Sequence, residues 1–303
     1  MTAFADREVI LSGGAINSPQ LLMLSGIGPE QQLKNVGIPV HHHLSGVGQN
    51  LQDHATVILK YACTQPVTIH QLANPVHKAI AGMRWLANRS GPATSNVWEA
   101  GGLVRSNPDV NYPNIQYHFA PVGVEYDEAN RIKLDQAFSI HIDQSRPTSR
   151  GSVELKSADP EQKPRIQFNY LSTEHDRRVL IEGVKCARDL IAQPAFDAFR
   201  GKEVYPGADV VSEKSVHKFL RQFGDTDFHP SCTCRMGNDG QSVVDSELRV
   251  HGVEGLRVVD ASVMPQITSA NLNAPTQMIA ARAADFILGN PQLAPEFPGY
   301  SFD

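Results

Sequence analysis

No stretch of the 303 residues is apolar over the length of a membrane span, and the opening "MTAFADREV" has neither a basic n-region nor an apolar h-region. Cysteine is scarce. Four are present, Cys63, Cys186, Cys232 and Cys234, too few in so long a chain for a disulfide framework, so a reducing, cytoplasmic setting is expected. A surplus of positive charge is also missing. The net charge of −5 removes the electrostatic reason to expect a nucleic-acid partner. Internal repeats and low-complexity blocks are absent too, apart from a Pro-containing tail, "NPQLAPEFPGYSFD".

What is present describes a globular protein of one large or two ordinary domains, with 41% hydrophobic and 19% charged residues. Residues 9–11 form a short apolar run suited to a buried parallel strand, closed by Gly13 and Gly14. Ser18 is a good helix N-cap, Pro19 a good first helical residue and Gly26 a good terminator. The middle of the chain alternates with period two instead. Val57, Leu59 and Tyr61 share a face, as do Ile115, Tyr117 and Phe119, then Phe138, Ile140 and Ile142, then Val153 and Leu155. That pattern predicts an antiparallel sheet with one covered face. A helix is expected after Thr173, with Asp176 three residues on as in a capping box. Near the end, residues 256–259 read as another short strand ending in Asp260. A last helix begins near Pro275, carries Ile279, Ala283, Phe286 and Ile287 on one face, and stops at Gly289. The fold class expected is α/β plus α+β, with segments of two domains interleaved. The boundaries are 1–57 and 223–290 for a doubly wound domain, 58–222 for the antiparallel one, and 291–303 for the tail.

Five blocks stand out in order: "GGAINSPQLLMLSGIGP", "GVGQNLQDH", "RGSVELKSADP", "HPSCTCRMG" and "VVDASVMPQITSANLNAPTQMIAARAAD". Together they resemble the later portion of the glucose–methanol–choline (GMC) oxidoreductases, FAD-dependent alcohol oxidases and dehydrogenases. The wording "HPSCTC" and "NLNAPT" most resembles the choline-oxidising members. The family's opening strand–GxGxxG–helix unit, which seats the ADP half of FAD on a helix N-terminus, is not found. Gly26-Ile27-Gly28 and Gly46-Val47-Gly48 lack the third glycine and the flanking elements. The resemblance therefore implies an incomplete doubly wound FAD-binding domain interleaved with an antiparallel substrate domain.

By the same resemblance His229 is the catalytic base and Asn271 the residue that hydrogen-bonds the substrate oxygen, facing the flavin. A histidine suits this step because its ordinary pKa lies near working pH. Asn273, two residues on, is the rival for Asn271 and could cap the helix instead. The start of the last helix, with Asn273, Pro275 and Thr276, carries partial positive charge that suits reduced flavin, and Asp260 and Ala261 resemble contacts to its ribityl–phosphate part. A trimethylammonium group needs aromatic faces and a carboxylate; Glu99, with Trp98 beside it, resembles the residue that faces this cation, the alternative being a core Trp beside a strand-edge Glu. The implied reaction takes a small primary alcohol, choline favoured, to its aldehyde with FAD as cofactor. A different alcohol, or an inactive fragment that binds no FAD, are the alternatives. The electron acceptor is not implied, and a peripheral membrane association of the parent enzyme stays open. No metal is expected: Cys232-x-Cys234 has no second pair, His41–His43 reads as a solvated strand end, and no motif supports a thiol nucleophile. His229 is expected to work alone and the cysteines to pack.

Overall fold

The computed structural model describes residue 2, residues 4–126 and residues 132–296. The chain divides into two compact units, one of residues 1–54, 146–173 and 226–303, the other of residues 55–145 and 174–225. Interleaving is thus a property of the fold, and residues 146–173, expected inside the antiparallel domain, fall in the first unit. Among the described residues, strand Ser152–Glu154, which contains Val153, pairs only with Arg165–Gln167 as a separate two-stranded ladder, and Val153 N–H donates to the Gly48 carbonyl. A period of two fixes which side chains share a face but not which sheet the strand joins.

In the first unit, strand Val9–Leu11 pairs in parallel with Leu256–Val258. Val9 and Ile10 are exposed rather than buried, because the strand has one ladder neighbour among the described residues and no covering element on that side. The following helix spans Gly14–Leu24 and so begins four residues before the expected cap at Ser18. The Ser18 hydroxyl accepts from Gly13 N–H and donates to Asp260, so it secures the glycine turn rather than starting the helix. Pro19 then lies inside the helix, where its missing N–H leaves the carbonyl of Ala15 without its usual partner. The buried Thr233 hydroxyl supplies that bond at 2.7 Å, from a residue far along the chain. Gly26, with φ +76, ends the helix as expected. The core of this unit gathers Leu22, Met23 and Leu33 with Cys232, Cys234, Val258 and Ile279.

In the second unit, five strands of an antiparallel sheet run in the order Arg200–Tyr205, Ala55–Cys63, Ala137–Gln144, Ile115–Ala120, Ala100–Val104. Register places Leu59 opposite Ile140 and Tyr117 opposite Ile142, so the alternating apolar sets meet on one face. Helix Glu174–Ile191 covers that face. It approaches closely because Gly183 has no side chain: a Cβ there would meet Ile142 at 2.9 Å, and the Gly183 carbonyl accepts from the Tyr117 hydroxyl at 2.8 Å. Asp176, in the first turn, is buried and accepts from Gln144 at 2.9 Å. A second amphipathic helix, Glu213–Phe223, is capped by the Ser212 hydroxyl and buries Val216, Phe219 and Leu220 at the spacing of one face.

Candidate active site

The site is built where the "QDH" and "DFHP" segments of the first unit meet. Gln52 and Ser231 exchange backbone hydrogen bonds, which brings the two segments alongside each other. The Asp53 carboxylate then organises the second one. Its Oδ1 accepts from His229 N–H at 2.9 Å, and its Oδ2 accepts from the hydroxyls of Thr226, at 2.5 Å, and of Tyr170. Burial pushes the Asp53 carboxyl above its ordinary pKa, although these donors oppose the shift. Phe228 turns the chain with φ +60 and stands 83% exposed, while its N–H donates to the Thr226 hydroxyl. His229 is thereby presented from a braced turn.

The side chain of His229, expected to work alone, has close neighbours at both ring nitrogens. Its Nδ1 lies 3.1 Å from Nδ1 of the buried His54 and 3.0 Å from Oδ2 of Asp227. Its other nitrogen, Nε2, lies 3.4 Å from the amide nitrogen of Asn271. The ligand-capable atoms of His54, Asp227 and His229 lie within 4.8 Å of one another. The residues that carry this cluster were in view as sequence, in "NLQDH" and "TDFHP", but nothing in their spacing shows that segments 175 residues apart share one nitrogen.

Asn271 and His229 are therefore brought together as expected. Asn273 is not the cap of the last helix: the helix runs Asn273–Leu288 with Leu272 at the N-cap position, and the Asn273 amide oxygen accepts from Gln277. Leu272 makes no side-chain cap hydrogen bond, and Asn273 and Ala274 at the helix start are exposed while Pro275 and Thr276 are half-buried. Gly289 closes the helix with φ +70. Asp260 sits at the end of strand Leu256–Val258, where its carboxylate accepts from Gly14 N–H at 2.9 Å, the Ser18 hydroxyl at 2.5 Å and Ser262 N–H at 2.8 Å. That side chain is satisfied inside the protein and fixes the glycine turn. Ala261 follows it, and its carbonyl accepts from Cys232 N–H.

The two cysteines of the motif lie in the core. Cys234 N–H donates to the Ser262 carbonyl and Met236 N–H to that of Val263, continuing the line begun by Cys232. Burial pushes the Cys232 thiol up to about 12 and the Cys234 thiol higher still, which leaves neither as a thiolate at neutral pH. Trp98 and Glu99 belong to the second unit. Trp98 is 43% exposed and meets His141 edge-on at 4.5 Å between centroids, so it is not a core residue. Glu99, also exposed, accepts from the Ser95 hydroxyl and donates its N–H to the Phe119 carbonyl.

Two family models, both for GMC oxidoreductase, match this chain, one over residues 1–56 and the other over residues 147–280. The chain belongs to the GMC oxidoreductase family. It is 50% identical over 291 residues to an oxygen-dependent choline dehydrogenase of Pseudomonas fluorescens, covering 96% of this chain and 51% of the relative. A protein of the same name from Yersinia pseudotuberculosis is 48% identical over 299 residues, covering 99% and 53%. Among solved structures, formate oxidase superposes with a TM-score of 0.85 at 30% identity, covering 94% of this chain and 55% of that one. Pyridoxine 4-oxidase from Mesorbium loti gives 0.80 at 28%, covering 96% and 53%. The chain spans about half the length of the curated relatives it matches. Among the described residues no helix is long and apolar enough to cross a membrane.

Proposed function

We propose that the chain carries the alcohol-oxidising site of an FAD-dependent GMC oxidoreductase that takes a primary alcohol to its aldehyde, choline to betaine aldehyde being the favoured reaction. One observation carries the reading: His229 presents Nε2 toward the Asn271 amide while its Nδ1 is held by His54 and Asp227. A base and a hydrogen-bond donor placed side by side are what removal of a hydroxyl proton requires. Asn271 positions the alcohol oxygen through its amide N–H, and His229 takes the hydroxyl proton at Nε2.

The residues also suit a flavin. The last helix is 16 residues long, its N-cap residue Leu272 offers no side-chain cap, and its first residues are exposed. Unpaired N–H groups and the positive end of the helix dipole favour an anionic or electron-rich group at that place. Residues 273–276 would hold the ring end of FAD. Asp260 would act by shaping the glycine turn at Gly13 and Gly14, with Ala261 beside it. Bound FAD supplies the hydride acceptor.

The name shared by the two curated relatives supports choline. Its trimethylammonium group cannot hydrogen-bond and is recognised by aromatic faces and a carboxylate, the chemistry offered by Trp98 and Glu99. In the flavin-loaded protein, Glu99→Gln is expected to raise KM for choline by about tenfold or more, a loss of about 1.4 kcal/mol. KM for the uncharged tert-butyl analogue of choline should change little. Equal effects on both alcohols remove the cation role.

A further inference from the structure

We propose that His54 and Asp227 together fix His229 in the tautomer that carries its proton on Nδ1 and its lone pair on Nε2, with the Thr268 carbonyl fixing His54 in turn. The proposal deepens the reading of His229 as the base and rests on it for its purpose. The argument for the tautomer itself stands on hydrogen-bond chemistry alone.

The chain of constraints starts at a carbonyl. His54 Nε2 lies 2.9 Å from the oxygen of Thr268, which can only accept, so that nitrogen carries a proton. Neutral His54 then has its lone pair on Nδ1, which lies 3.1 Å from Nδ1 of His229. Two lone pairs do not face each other at that distance, so the His229 nitrogen donates. Asp227 gives the same answer independently. Its carboxylate oxygen, 3.0 Å from the same His229 nitrogen, accepts from an N–H there. The lone pair of neutral His229 is left on Nε2, where the Asn271 amide N–H points to it at 3.4 Å.

The backbone holds the partners in register for this. Asp227 N–H donates to the His54 carbonyl at 3.0 Å, and the neighbouring Asp53 grips His229 N–H. The rings of His54 and His229 meet edge to face at 77°, with centroids 5.1 Å apart, so the contact fixes direction as well as distance. His54 is 1% exposed, which keeps water from competing for its Nδ1. His54 and Asp227 are positioning residues that act through the ring of His229.

Long-range proton–nitrogen correlation spectra of the full chain labelled with nitrogen-15 test this without cofactor, the two rings being assigned by the loss of signals in His229→Asn and His54→Asn. The expected result is a pyridine-type Nε2 and pyrrole-type Nδ1 for His229, with the opposite arrangement in His54. A pyrrole-type Nε2 on His229, or two averaged signals, overturns the proposal. The single variant His54→Asn keeps a carbonyl acceptor at the place of Nδ1 and is expected to preserve the His229 pattern. The double variant His54→Leu with Asp227→Ala is expected to average it, and an unaltered pattern in a folded double variant also overturns the proposal. In the flavin-loaded protein the double variant is expected to lower kcat more than it changes KM. The reading of the base fails separately, through undiminished alcohol oxidation in His229→Asn, and that outcome leaves the nitrogen spectra as they were.

Discussion

Replacing His229 by Asn in the flavin-loaded protein is expected to slow alcohol-dependent flavin reduction by about 10²–10⁴-fold, the range of a lost general base. KM should move much less, because the Asn271 amide that positions the hydroxyl is retained. Folding should also be little affected. The backbone N–H of His229 that Asp53 grips is unchanged by the substitution, and the imidazole is only partly buried. Stopped-flow absorbance of the flavin on mixing with choline under anaerobic conditions reads the effect directly. A rate within threefold or so of the wild type would remove His229 from proton transfer, since a base can hardly be dispensed with so cheaply. Asn271→Ala, by contrast, should raise KM and lower the rate together, since its amide holds the oxygen in place and lies against Nε2 of the same ring.

The second large effect falls on stability. Asp260→Ala removes the acceptor of three donors at once, Gly14 N–H, the Ser18 hydroxyl and Ser262 N–H, two of these bonds being wholly buried. A buried donor left without a partner costs about 1–3 kcal/mol, and a hydrogen bond to a charged acceptor about 1.5–3 kcal/mol. The loss expected for the first unit is therefore about 3–5 kcal/mol, read as a lower midpoint in urea denaturation. Asp260→Asn should recover part of it, since the amide oxygen still accepts while its NH₂ opposes the remaining donors. A loss below about 1 kcal/mol in Asp260→Ala would show that the glycine turn is held by other means. Flavin affinity should fall in parallel, because the turn that Asp260 secures lies between the strand and the helix of the proposed cofactor site.

Much of this architecture was legible in the sequence, and the parts that were not share a physical reason. Apolar runs marked the strands Val9–Leu11 and Leu256–Val258, though not their pairing, and period-two alternation marked the three central strands of the second unit. Gly26 and Gly289 marked two helix ends, because only a positive φ continues the chain there and glycine adopts it freely. Local rules failed where a distant residue supplied the missing interaction. Ser18 and Pro19 have the chemistry of a helix start, yet both lie inside the helix. The Ser18 hydroxyl is engaged with Asp260, and Thr233 makes the hydrogen bond that Pro19 cannot. Trp98 has the size of a core residue but is half-exposed, which no count of its neighbours in sequence foretells.

The candidate site divides in the same way. His229 and Asn271 were identified through the motifs in which they stand, and the fold sets them side by side. Asp53, His54 and Asp227 stand in or next to those motifs, but their work depends on the exchange of hydrogen bonds between two segments distant in the chain. A lone histidine and a histidine with two acceptors on one nitrogen look alike in a sequence. The tautomer, and with it the direction of the lone pair, is a property of the folded arrangement.

The measurement that bears most directly on the central proposal is a visible-absorption titration of the purified chain with FAD, followed by anaerobic addition of choline. The account predicts a saturable flavin band, shifted by the protein, that is lost when choline is added and persists when choline is added to His229→Asn. A shifted band that choline leaves unchanged in the wild-type protein would contradict it, for the flavin would then be seated without an alcohol-oxidising site beside it.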